Sequence, residues 1–130
     1  MILMMNKTKR ILHVEDDRDT RDLVKILLEN SGFEVISACN GKECFNILKN
    51  EKVDLVLLDI MLPDMSGWDI FQRIKKMSVN RPKVIFLSVI PTSEERLKAL
   101  KEEGVFDYIN KPFDNKDLIE RISRALEHVN

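Results

Sequence analysis

Five short apolar runs closed by turn residues constrain the fold of this chain more than any other feature. They are Ile11-Leu12-His13-Val14, Phe33-Glu34-Val35-Ile36, Leu55-Val56-Leu57-Leu58, Val84-Ile85-Phe86-Leu87 and Phe106-Asp107-Tyr108-Ile109. The first, third and fourth are nearly unbroken, as expected of strands covered on both faces of a parallel sheet. The second and fifth carry a polar residue and read as strands nearer the edges. Helical patterns fill the intervals. Leu23 with Leu27, and Val24 with Leu28, form i,i+4 pairs ahead of a C-capping Gly32. Asn40 with Glu43, Ser66 with Asp69, and Thr92 with Glu95 have capping-box spacing and mark three helix starts. Leu118, Ile122, Ala125, Leu126 and Val129 give the last helix one apolar face. Strict alternation with right-handed crossovers predicts a doubly wound α/β sheet, a fold class that follows from pattern alone. Strand order does not follow from it.

One predicted helix stands apart. Between Thr92 and Glu103 only Leu97, Ala99 and Leu100 face a core, amid seven charged residues. So thin a stripe buries little area and marks a weakly anchored element, or equally a well-solvated surface helix.

At 130 residues the chain fits one domain, read as a short extension over 1–9 and a domain over 10–130. The net charge of −1 argues against direct nucleic-acid binding, which needs a basic surface. Cys39 and Cys44 form no paired framework and read as reduced thiols of a cytoplasmic protein. The apolar start Met1-Ile2-Leu3-Met4-Met5 is too short for membrane insertion. Its positive charges, Lys7, Lys9 and Arg10, follow it rather than precede it, unlike a signal peptide.

Ligands of open α/β sheets bind at the carboxyl ends of the strands. Here those ends are polar: Glu15-Asp16-Asp17 after the first run, Asp59 after the third, Ser88 after the fourth, Lys111 after the fifth. Neighbouring central strands bring Glu15, Asp16 and Asp59 into one cleft. Clustered carboxylates repel unless a cation joins them, and an oxygen-only, solvent-facing set suits Mg²⁺. With Mg²⁺ bound, Asp59 is a candidate nucleophile towards phosphorus. Lys111 then supplies further positive charge to phosphoryl oxygens, and the Ser88 hydroxyl can hydrogen-bond one of them.

Three segments carry a family resemblance: Ile11 to Asp17, Asp59-Ile60-Met61-Leu62-Pro63-Asp64-Met65-Ser66-Gly67, and Tyr108-Ile109-Asn110-Lys111-Pro112-Phe113. Together they resemble the receiver domains of two-component response regulators, over essentially the whole chain after the extension. The resemblance implies a flavodoxin-like (βα)5 fold with five parallel strands in the order 2-1-3-4-5. It implies that Asp59 is the phosphoacceptor, that Asp16 binds Mg²⁺ directly, and that Glu15 holds the ion or its water. The backbone carbonyl of Met61 would complete the protein ligands, with Mn²⁺ as a substitute ion. It further implies a cis bond between Lys111 and Pro112, and a switch pair of Ser88 and Tyr108 in which the ring turns inward on phosphorylation. The expected donor is a phosphohistidine of a histidine kinase or phosphotransfer protein. A target protein would bind the face made by the fourth helix, fifth strand and fifth helix.

On this reading the chain is a stand-alone, chemotaxis-regulator-like receiver, not an enzyme in its own right. It is monomeric or dimerises on phosphorylation. A phosphorelay intermediate or phosphate sink is the alternative within the class. An aspartate-nucleophile phosphatase needs a second Asp two residues after the nucleophile, where this chain has Met61. A nucleotide or flavin module needs a phosphate-cradling first loop, which Glu15-Asp16-Asp17 would repel. Two departures from the family pattern are Val89, usually Ala or Gly, and Pro91 ahead of the thin helix. Val89 is expected to crowd the cleft and slow phosphoryl chemistry. His13 reads as a packed core histidine, His128 as a charge near a helix C-terminus, Trp68 as half-buried on the third helix, and Phe113 as packing.

Overall fold

The computed structural model describes residues 8–127. Strands β1 (Arg10–Val14), β2 (Glu34–Ala38), β3 (Leu55–Leu58), β4 (Lys83–Ser88) and β5 (Asp107–Asn110) alternate with five helices. These are α1 (Arg18–Asn30), α2 (Gly41–Asn50), α3 (Gly67–Lys75), α4 (Glu94–Glu103) and α5 (Asn115–Glu127). The strands form one parallel sheet in the order β2-β1-β3-β4-β5. The two strands with polar interruptions occupy the edges, as their sequences indicate. β2 and β5 each start one residue later than their apolar runs, because Phe33 and Phe106 pack as half-buried residues just before the ladder.

Alternate residues of each strand face opposite sides. Ile11, Leu55, Leu57, Ile85 and Leu87 pack with Val24 and Leu28 of α1 and with Leu118, Ile122 and Ala125 of α5. Leu12, Val14, Val56, Leu58 and Phe86 pack with Cys44 of α2, Ile70, Phe71 and Ile74 of α3, and Leu100 of α4. The sheet is therefore a middle layer with α1 and α5 on one side and the other three helices on the other.

Local signals decide the helix ends, with some corrections to the sequence reading. Asp17 caps α1, its carboxylate accepting from Thr20 N–H at 2.9 Å. The C-cap is Ser31, and Gly32 follows at φ +94, where a side chain would be strained. Of the two predicted pairs in α1, Val24 and Leu28 are buried, Leu27 is half-buried, and Leu23 is 44% exposed. Asn40 and Ser66 cap α2 and α3 as their spacing indicates. The cap of α4 is Ser93 rather than Thr92; its hydroxyl accepts from Arg96 N–H at 3.0 Å. In α4 only Leu100 is buried, Leu97 is half-buried and Ala99 is exposed, so the stripe is thinner still than expected. In α5, Leu118, Ile122 and Ala125 are buried with Leu126 beside them, while Val129, His128 and residues 1–7 of the extension lie outside the described residues.

Candidate phosphoacceptor site

The ladder does not stop where the strands do. Glu15 N–H donates to Ala38 O (2.9 Å), Asp59 N–H to Val14 O (3.1 Å), and Lys111 N–H to Ser88 O (2.9 Å). These bonds fix the residue after β1, β3 and β5 to a neighbouring strand, so three candidate site side chains project from one rigid edge. Asp59 is 6% exposed and Glu15 is 1% exposed, whereas Asp16 faces solvent. The sequence reading brought these acids together, and the structure has a carboxylate oxygen from each within 4.8 Å of the others.

The Lys111 ammonium lies between two of them. It donates to Asp59 Oδ2 at 3.0 Å and makes a close hydrogen bond to Glu15 Oε1, joining residues 96 positions apart. Burial alone would lower the Lys111 pKa, but the two carboxylates outweigh it and hold the pKa above the ordinary lysine value. For Glu15, burial is the largest influence and raises the carboxyl pKa, opposed by Lys111 and by Asp17 N–H. A buried acid–acid pair costs free energy that one cation only partly offsets.

The remaining oxygens are disposed differently. Glu15 Oε2 accepts from Asp17 N–H (3.1 Å) and Asp59 Oδ1 from Met61 N–H (3.3 Å). The latter bond folds the backbone of Met61 back beside the cluster. Arg21 of α1 donates to the backbone carbonyls of Glu15 and Asp16 at 3.0 and 3.1 Å, clamping the turn that presents them. All donors are hard oxygens, with Asp16 open to solvent, and each Asp59 oxygen keeps acceptor capacity after its one hydrogen bond. This donor set fits Mg²⁺.

Ser88, at the end of β4, is fully buried, and its hydroxyl accepts from Ile90 N–H at 3.2 Å. Tyr108 is 4% exposed, and its phenol donates to the Ile90 carbonyl, which also accepts from Asn110 Nδ2 at 3.1 Å. Burial raises the Tyr108 pKa, so the phenol is a firm donor. The ring lies 6.0 Å from Phe86, which lies 4.6 Å from Trp68. Trp68 is half-buried as its position suggested, with Arg96 of α4 stacked 5.0 Å over it. The bond between Lys111 and Pro112 is cis. Val89 is 60% exposed and borders a surface depression with Lys111 and Pro112.

His13 is wholly buried, and neither ring nitrogen has a hydrogen-bond partner. Burial, helped by the Lys111 and Arg21 charges, pushes its pKa down to about 3, so it is a neutral packing residue. Cys39 and Cys44 are free thiols.

Three contributors have no role assigned to them in the sequence reading. Arg21 is one. Asp64 is another: its carboxylate accepts from Gly41 N–H (2.8 Å) and Lys42 N–H (3.0 Å), tying the β3–α3 loop to the start of α2. The third is Gly67, where a Cβ would sit 2.2 Å from the backbone oxygen of Asp59. Its signal was present as the last residue of the Asp59–Gly67 segment, but its steric reason appears only in three dimensions.

Comparison with known proteins agrees with this geometry. Residues 11–123 match the family model for the response regulator receiver domain. The chain is 39% identical over 121 residues to a probable transcriptional regulatory protein, SilR, of Salmonella typhimurium, covering 93% of this chain and 52% of that protein. It is 37% identical over 122 residues to the phosphate regulon transcriptional regulatory protein PhoB of Escherichia coli, covering 93% and 53%. Among solved structures, the non-phosphorylated HemR receiver domain of Leptospira biflexa superposes with a TM-score of 0.84 at 32% identity, covering 95% of this chain and 98% of that one. The chain spans about half the length of the curated relatives it matches. With the family's fold, strand order and acidic edge all present, the chain belongs to the response regulator receiver domains.

Proposed function

We propose that this receiver accepts a phosphoryl group on Asp59 from a phosphohistidine of a histidine kinase or phosphotransfer protein. The observation that carries the reading is the Asp59 carboxylate held 3.0 Å from the Lys111 ammonium within an oxygen-only cluster. An Asp59 oxygen attacks phosphorus, the bond to the donor imidazole breaks, and the chain holds a mixed anhydride. Lys111 stabilises charge on the phosphoryl oxygens. Asp16, Asp59 and the Met61 carbonyl would hold Mg²⁺, or Mn²⁺ in its place, with Glu15 on its water, and the ion supplies charge neutralisation between carboxylate and phosphate.

Ser88 and Tyr108 form the switch in this reading. Both grip Ile90, so a phosphoryl oxygen that accepts from the Ser88 hydroxyl and draws it inward pulls Oγ away from Ile90 N–H and loosens the start of the α4 loop. The weakly anchored α4 then shifts, changing the α4-β5-α5 face for a target protein or a second copy. The chain assists its own phosphorylation and dephosphorylation but turns over no separate substrate, so it is a signalling acceptor rather than an enzyme. Relay or phosphate-sink duty uses the same site and differs only in where the phosphoryl group goes next. We place this activity in the cytoplasm, where Cys39 and Cys44 stay reduced. No helix among the described residues is long and apolar enough to cross a membrane.

The test is intact mass after incubation with Mg²⁺ and phosphoramidate or acetyl phosphate. A phosphoryl-sized gain in the wild type, lost in Asp59→Asn and in EDTA, supports the reading. No gain in protein with a cooperative melt refutes it.

A further inference from the structure

A second surface lies away from the acidic edge. Helices α2 and α3 leave between them an open groove of about 750 Å³. Phe45, Leu48, Met65 and Met77 line it as half-buried apolar residues. Lys42, Lys49 and Arg73 stand exposed around it. None of these three cations has a carboxylate within salt-bridge distance among the described residues; Arg73 stacks 4.5 Å over the Phe45 ring instead. The single lining acid, Asp64, spends its carboxylate on the amides of Gly41 and Lys42. A chain of net charge −1 thus carries here an apolar trough rimmed by three cations against one committed anion.

We propose that this groove docks an amphipathic helix of a partner protein that carries acidic residues beside its apolar stripe. The ten-residue α2 gives a trough of about 15 Å, the length of two to three helical turns. Two helices walling an apolar trough is the geometry in which a partner helix lays its apolar face, read through anchors at i, i+3 or i+4, and i+7. Two methionines among the wall residues let the surface repack around different anchors. Unpaired rim cations favour acidic flanks and disfavour basic ones, steering encounter as well as choosing the partner. Asp64 and Met65, which line the groove, belong to the loop that begins at Asp59. This docking surface stands independently of whether Asp59 is phosphorylated.

The experiment uses ¹⁵N-labelled full chain and a synthetic helix-forming peptide of about 15 residues. Its leucines are placed at i, i+4 and i+7 and flanked by glutamates; a matched peptide has lysine at every glutamate. Binding is measured by anisotropy and mapped by amide shifts. Expected are shifts confined to α2, α3 and the β3–α3 loop, and binding by the glutamate peptide only. Affinity should fall about tenfold in Lys49→Glu and in Lys42→Glu, both at exposed positions whose loss leaves the core intact. Several results overturn the proposal: no binding, equal binding of both peptides, affinity indifferent to the charge reversals, or shifts centred on α4 and α5. Binding of anionic lipid vesicles without the peptide reassigns the groove to a membrane surface. A concentration-dependent dimer abolished by Lys49→Glu reassigns it to a second copy of this chain. Either of those also overturns it.

Discussion

Replacing Gly67 with alanine tests whether the acidic edge is held as tightly as its geometry requires. The added Cβ would lie 2.2 Å from the Asp59 carbonyl oxygen, 2.8 Å from Ile60 Cα and 3.0 Å from the Asp59 carbonyl carbon. Ordinary contact begins near 3.4 Å, so about 1 Å of retreat is needed. The obstructing atoms are backbone, and Gly67 N–H is itself bonded to Ile60 O at 2.8 Å, so no rotamer change relieves the clash. Overpacking that forces backbone movement costs about 1–3 kcal/mol, and we place Gly67→Ala at the top of that range, about 3 kcal/mol. For a domain of this size that lowers Tm by roughly 10 °C. Gly41→Ala is the control. The three atoms nearest its Cβ all belong to the flexible Met65 side chain, the closest at 2.5 Å, which can swing away at a cost of about 1 kcal/mol or less. Urea melts of the three proteins give the stabilities, and phosphoramidate labelling of the folded fraction gives the functional consequence. A shift of Asp59 by a large part of an ångström should slow labelling about 100-fold. Equal stability of the two alanine variants, or wild-type labelling in Gly67→Ala, would refute the reasoning.

Val89→Ala should accelerate labelling by phosphoramidate, read as initial rates by intact mass; equal rates remove the crowding argument. Adding Mg²⁺ at neutral pH should raise Tm by relieving repulsion among Glu15, Asp16 and Asp59, and Asp16→Asn should abolish most of that rise. Unchanged melting in wild type counts against the metal site. The Asp64 carboxyl pKa is lowered from 3.8, chiefly by Gly41 N–H, with Lys42 N–H also contributing. A depressed acid stabilises the fold fully above its unfolded pKa and loses that contribution as pH falls through the folded one. Asp64→Ala should therefore flatten the acid limb of stability below about pH 4, measured by urea titration; an unchanged limb sinks the capping role. Trp68 emission should respond to phosphorylation in this scheme, because Arg96 on its ring rides on α4; a spectrum identical before and after labelling argues against movement of α4.

Much of the fold was legible because buried parallel strands leave unmistakable apolar runs, and because acids rarely gather at strand ends without a task. Order along the sheet was not, since a run such as Leu55-Val56-Leu57-Leu58 says that it is central and not who its neighbours are. Leu23 and Val24 looked equally inward in sequence, as adjacent i,i+4 stripes do; only packing against the sheet chose Val24. Ser93 caps α4 although Glu95 stands three residues after Thr92, and the Thr92 oxygen ends buried without a partner. Arg21, Asp64 and Gly67 act through backbone atoms of residues distant in sequence or crowded in space. Such contacts leave no periodic trace in a single sequence.

The ion pair between Glu15 and Lys111 joins the first strand of the chain to the last. Most of the domain, from β1 to β5, must be folded before Glu15 and Asp59 meet Lys111. Contacts of such long sequence separation form late, after most loop-closure entropy has been spent. A partly unfolded domain therefore has no assembled acidic edge. On the proposed function, the edge could take up a phosphoryl group only once the sheet is complete, so labelling would double as a readout of folding.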